Sequence, residues 1–162
     1  MERIWLQLIE SWRSQNLPIQ RACREDDIRS FETRYKIALP PDMREYLLNV
    51  NGMTPYFPGD QDKEGFSFWP LERIRTLAED NEAHDRRYSR LKEEDSLFLF
   101  CDYLAWCWAY AVKILPGSVA AEGIYLVGCR NPIKIADSFS DFVRLYFKDS
   151  EQLYPPATHE CI

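Results

Sequence analysis

The sequence predicts an α+β fold: a mixed or mainly antiparallel sheet with flanking helices, in a single domain spanning residues 1–162. Three observations predict it. Apolar residues recur at helical spacing near both ends of the chain, within residues 2–50 and again in 139–146. Between them lie strand-like runs whose connections are mostly too short for helical crossovers, which argues against a parallel α/β sheet. Hydrophobic residues make up 46% of the chain and aromatics 14%, enough for a ring-rich core and too many for a disordered chain.

The elements follow in order. Ile4, Trp5, Leu8, Ile9 and Trp12 share one face of an additional N-terminal helix over residues 2–16, expected to pack on the domain. Its polar face carries little positive charge, which disfavours a membrane-surface role. Asn16-Leu17-Pro18 ends it. Ile28, Phe31, Glu32 and Tyr35 fall at i, i+3, i+4 and i+7, with Asp26 and Asp27 where free amides need capping. Pro40 disfavours helical geometry at Leu39, so this second helix stops by then. Pro41 suits the first turn of a third helix. There Met43, Tyr46, Leu47 and Val50 repeat the spacing, and Asn51-Gly52 offers positive φ to end it.

Pro55, Pro58, Gly59 and Gly65 make residues 54–65 a loop. Leu97 to Tyr103 is apolar on both faces, hence central in the sheet. Trp106 to Ile114 alternates: Trp106, Trp108, Tyr110, Val112 and Ile114 on one side, Cys107, Ala109, Ala111 and Lys113 on the other. Ile124 to Val127 and Ile133 to Ala136 are two further strands. Ser138 caps a last helix that buries Phe139, Phe142, Val143 and Tyr146. Residues 155–162 are expected to form a flexible tail.

Net charge is −6 and the pI about 5.0. Phosphate backbones need clustered cations, so direct nucleic-acid binding is disfavoured and a basic protein partner is favoured. No run approaches the ~18 apolar residues of a membrane span, and no secretory signal is visible. Five cysteines, Cys23, Cys101, Cys107, Cys129 and Cys161, are odd in number and form no Cys-x-x-Cys. Reduced thiols in a cytoplasmic protein are the simplest expectation.

No motif carries chemistry. Asp60-x-Asp62-x-Glu64-Gly65 resembles the start of a calcium loop, but Leu71 stands where a bidentate Glu belongs. A solvated turn is the expectation. His84 and His159 have no second ligand at metal spacing. There is no nucleophile elbow and no glycine-rich phosphate cradle. The expected catalytic, cofactor-binding and metal-binding sets are therefore none, and the chain is expected not to be an enzyme. A hydrolase using cysteine or carboxylates stands as the outlying alternative.

Several residues suit a protein-binding surface. Asp102 ends an apolar strand and either caps the turn or faces a groove, with the cap favoured. Trp69, Trp106 and Trp108 are core by default, with a role as interface anchors the alternative. The sheet edge around Trp69, Asp102, Tyr103, Trp106 and Trp108 is one candidate partner site. The charged stretch of residues 79–95 reads as a solvated face, or as an acidic docking patch centred on Glu93, Glu94 and Asp95.

The ordered set Ile28-x-x-Phe31-Glu32, Leu39-Pro40, Tyr46-Leu47-Leu48 and Asn51-Gly52 resembles the Smi1/Knr4 (SUKH) family. Phe66 to Leu71 with Ile74, Leu99 to Tyr103, Trp108 to Ala111 and Ala136 to Phe142 extend the likeness in order. It covers roughly residues 25–148. The resemblance implies a cofactor-free protein-binding module. Its members include bacterial immunity proteins, which neutralise toxins, often nucleases, by occupying them. They also include regulators of cell-wall synthesis. The expectation is an immunity protein docking on a basic toxin domain, with a regulatory or scaffold domain as the alternative.

Overall fold

A computed structural model describes residues 2–84 and 93–157. The central part of the charged stretch (85–92) and the end of the tail, with His159 and Cys161, lie outside the described residues.

The chain runs α1 (Arg3–Ser14), α2 (Glu25–Tyr35), α3 (Pro41–Asn49), β1 (Phe66–Phe68), β2 (Arg75–Thr76) and α4 (Leu77–Ala83). It continues through a 3-10 turn (Glu94–Ser96), β3 (Leu97–Tyr103), β4 (Trp108–Lys113), β5 (Ile124–Val127), β6 (Ile133–Ala136), α5 (Phe139–Phe147) and a second 3-10 turn (Glu151–Leu153). The strands form one antiparallel sheet in the order β1-β3-β4-β5-β6, with β2 also paired to β3. This is the α+β architecture the sequence predicts, in its antiparallel form. Strand β3 is interior, paired on both sides, and its first six residues are buried, as its two-faced apolar pattern requires.

Helix ends follow the expected chemistry. In α1, Asn16 takes φ 60, and the N–H groups of Asn16 and Leu17 return to the carbonyls of Arg13 and Trp12. This double closure satisfies carbonyls that the helix leaves free. Thr76 and Ser138 cap α4 and α5 by accepting the N–H groups of Glu79 and Asp141.

Aromatic rings join helices to sheet. Trp5 lies 5.6 Å from Tyr46 and 5.9 Å from Phe139, linking α1, α3 and α5. Phe142 of α5 meets Phe68, Phe100 and Tyr110 from three strands. The residues read as helix faces are buried: Phe31, Tyr46, Leu47 and Phe142 are each no more than 8% exposed.

The polar residues between the helices have a physical role here. Glu32 accepts the Leu39 N–H, fixing the break between α2 and α3. Buried Asn51 donates to the Arg21 carbonyl and accepts the Leu71 N–H, so it ties three segments together. Gly52 has φ 68, and a Cβ there would sit 2.6 Å from the Trp69 carbonyl carbon. Only glycine allows this approach of backbone to backbone.

One strand boundary differs from the expectation. The alternation begins on paper at Trp106, but β4 begins at Trp108. Leu104, Ala105 and Trp106 take φ 46, 52 and 70, a left-handed turn in place of strand. The Asp102 carboxylate draws the Trp106 N–H into this turn at 3.1 Å, which overrides the β-propensity of the ring.

The cysteines also differ. Cys23, Cys101 and Cys107 are free, but Cys129 is disulfide-bonded. The expectation of reduced thiols throughout is therefore corrected.

Candidate functional site

The sequence-named surface residues separate into three places. The first is a cleft of about 330 Å³ beside the β3–β4 turn. Asp60, Gln61, Ser67, Arg73, Asp102 and Trp106 line it. Asp102 is 4% exposed and serves as its hub. Its carboxylate accepts the Trp69 indole N–H at 2.6 Å and the Trp106 N–H, with the Arg73 guanidinium at 3.5 Å. It is thus both the turn cap that the sequence favours and a groove-lining group. Trp69 is 1% exposed, so it is core and offers no ring surface of its own. The Arg73 guanidinium lies over that ring at 4.2 Å and Arg75 at 5.0 Å. Burial pulls the Arg73 guanidinium below its ordinary range, and the Asp102 carboxylate pulls it back up.

The turn that walls this cleft is strained. Non-glycine residues in the left-handed region cost about 1–3 kcal/mol each, and such strain concentrates at functional sites. Three occur in succession here. The Leu104 N–H to the Gly65 carbonyl and the Cys107 N–H to the Tyr103 carbonyl, both 2.9 Å, hold the turn.

The second place is an aromatic stack. Tyr103 and Trp108 lie 4.4 Å apart at 24°, and Tyr154 meets both edge-on. The Trp108 indole N–H donates to the Tyr110 hydroxyl, which donates to the Leu153 carbonyl. The segment around Leu153 and Tyr154 therefore packs against these rings and leaves them half-buried.

The third place is the Glu93–Asp95 turn, at the other end of β3. Seven strand residues separate it from the cleft, roughly 20 Å at about 3.3 Å per residue. Glu93 has φ 75 and pairs with Lys113 at 2.7 Å. Asp95 is exposed and Glu94 half-buried. The sheet-edge and acidic candidates are accordingly separate surfaces.

The loop read against calcium is a tied turn. Asp62 is 5% exposed, and its Oδ1 accepts the N–H groups of Glu64 and Phe66. Its Oδ2 accepts the Tyr146 hydroxyl. Among the described residues, no three His, Cys, Asp or Glu side chains are placed to hold a metal ion. Burial pushes the Cys23 thiol up to about 12 and the Cys101 thiol well up as well, so neither offers a thiolate near neutral pH. No described helix is long and apolar enough to cross a membrane.

Sequence reasoning missed Arg73 and two exposed rings, Tyr56 at 77% and Phe57 at 85%, and placed Asp60 only in a calcium-like turn. The rings did carry a signal: two aromatics between Pro55 and Pro58, in a loop with no periodic partner. Arg73 carried none, and the spacing around Asp60 did not point to the cleft, because only folding brings both to Asp102.

The loop-and-turn geometry sits within a matched family region. The SMI1 / KNR4 family (SUKH-1) model matches residues 22–145. The chain belongs to this family. No curated protein is similar enough to the chain to be matched. The SUKH-1 region runs from the loop before α2 into the last turn of α5 and contains the whole sheet. Helix α1, which precedes it, contributes Trp5 and Trp12 to the core, both fully buried. The Asn-Gly and Trp-Pro-Leu segments that carry the family likeness meet in space, through Asn51 to Leu71 and Gly52 against Trp69.

Proposed function

We propose that this SUKH-1 chain is a non-catalytic protein-binding module, and that it acts as a cytoplasmic immunity protein neutralising a basic toxin domain by direct binding. Family membership over residues 22–145 is the observation that carries this reading. The net charge of −6 supports it, since a negative surface steers a basic partner to encounter. The half-exposed Trp106 and the exposed Tyr56 and Phe57 add the residue types that anchor interfaces. Such a module needs no cofactor or metal and works by covering its partner's site.

A regulatory scaffold is the second reading, favoured by one observation. The cleft and the Glu93–Asp95 turn lie at opposite ends of β3 and leave room for two partners. Calorimetry against basic toxin domains, including any that a neighbouring gene encodes, separates the two. Tight one-to-one binding supports immunity. Weak binding to several signalling or cell-wall enzymes, with no toxin bound, supports the scaffold.

A further inference from the structure

The cleft beside the β3–β4 turn has a charge left over. Asp102 is fully engaged by Trp69, Trp106 and Arg73, and Arg73 is balanced by Asp102. Asp60 is the second carboxylate lining the same cleft. Its Oδ1 is shut from solvent and, among the described residues, has no hydrogen-bond partner. A carboxylate oxygen in that state is costly until a donor reaches it. The backbone on either side is fixed. The Ser67 hydroxyl donates to the Asp60 carbonyl, and Gly59 packs against Pro18. The carboxylate therefore stays at the cleft wall, with only its own torsions free.

We propose that this cleft receives one arginine or lysine side chain of a protein partner, with Asp60 as its counter-ion. The proposal rests on the binding-module reading and names the chemistry of one contact. Four observations select this occupant. One uncompensated carboxylate calls for one positive charge. A hard metal ion needs six or more oxygen ligands, which a single free carboxylate with Gln61 does not supply. The half-exposed Trp106 ring at the rim suits a cation. A volume of about 330 Å³ takes a side chain better than a whole cofactor. Tyr56 and Phe57, four and three residues before Asp60, are exposed rings on the same loop.

The test is a chemical-shift titration of the full chain with N-acetyl-arginine amide and N-acetyl-lysine amide, with N-acetyl-glutamine amide as the uncharged control. The expected result is saturable shifts at Asp60, Gln61 and Trp106 with the two cationic amides and none with glutamine amide. Asp60→Asn should abolish them and Asp60→Glu retain them, in spectra otherwise unchanged. Absence of saturation, equal shifts in Asp60→Asn, equal shifts with the glutamine probe, or the same shifts with calcium chloride alone would overturn the proposal. Should the toxin bind Asp60→Asn as tightly as the wild type, the cleft assignment falls and the immunity reading stands. Saturation by arginine amide in a chain that binds no toxin keeps the cleft and removes the immunity reading.

Discussion

The Trp69 indole N–H donates to Asp102 Oδ2 at 2.6 Å, and this bond joins the core to the surface turn. Trp69 is buried against the Gly52 backbone on one side, and Asp102 positions Trp106 on the other. Asp102→Ala removes the acceptor for two N–H groups and the counter-ion of Arg73. Leaving buried N–H groups without their acceptor costs about 1–3 kcal/mol, and the partly exposed Arg73 keeps access to water. Urea unfolding should show a loss of that size. A loss below about 0.5 kcal/mol, the range of ordinary surface changes, would mean the carboxylate is not the hub described.

Two glycines separate steric from conformational cost. Gly52 and Gly117 both have positive φ, but a Cβ at Gly117 would meet nothing within 4 Å, whereas at Gly52 it would strike the backbone of Trp69 and Pro70. Gly117→Ala should cost only the left-handed penalty, about 1–2 kcal/mol. Gly52→Ala should exceed it clearly, because backbone cannot move aside as a side-chain tip can. Equal thermal shifts for the two variants would refute the close packing of α3's end on β1's exit.

The Leu47 side chain is fully buried on α3. Truncation to alanine should destabilise the chain by ~2–5 kcal/mol, as large-to-small core changes do. Equilibrium unfolding reads this directly, and an effect within surface range would contradict the helix-face assignment.

Asp62 gives a pH signature. Burial raises its carboxyl above the ordinary 3.8, with the Tyr146 hydroxyl and backbone N–H groups pulling the other way. A raised native pKa means the folded state holds the proton more tightly. The stability it contributes is full below about 3.8 and is lost as pH rises through the raised value. The stability difference, wild type minus Asp62→Asn, should therefore shrink as pH rises across that window. Chemical denaturation at several acidic pH values checks it, and a difference that grows with pH contradicts it.

Local chemistry made much of the fold legible. Periodicity located α1, α2, α3 and α5, and Pro40-Pro41 and Asn51-Gly52 marked their joints. Trp106 misled, because its strand-like spacing was a local signal and the Asp102 carboxylate a tertiary one. The site was less legible for the same reason. Asp102 and Trp69 could be named as types, but 33 residues separate them, and no spacing rule reports that they bond. Tyr103 and Trp108 were read with Trp106 as one edge, yet Tyr154 covers them from the far end of the chain.

The acidic surfaces differ in their expected kinetics. Exposed charges steer encounter and are screened beyond about 10 Å at 0.1 M salt. If the Glu93–Asp95 turn docks, reversing the exposed Asp95 to lysine should slow association with a basic toxin at low salt, with little change in unfolding. Stopped-flow association across a salt series measures it. An unchanged rate removes that turn from the interface.

Co-expression with any toxin domain that a neighbouring gene encodes tests the central claim most directly. The chain should rescue growth from that toxin and from no unrelated one, and the purified pair should form a one-to-one complex that blocks the toxin's activity. Growth arrest despite full expression of the folded chain, with no complex between the two, would contradict the immunity reading.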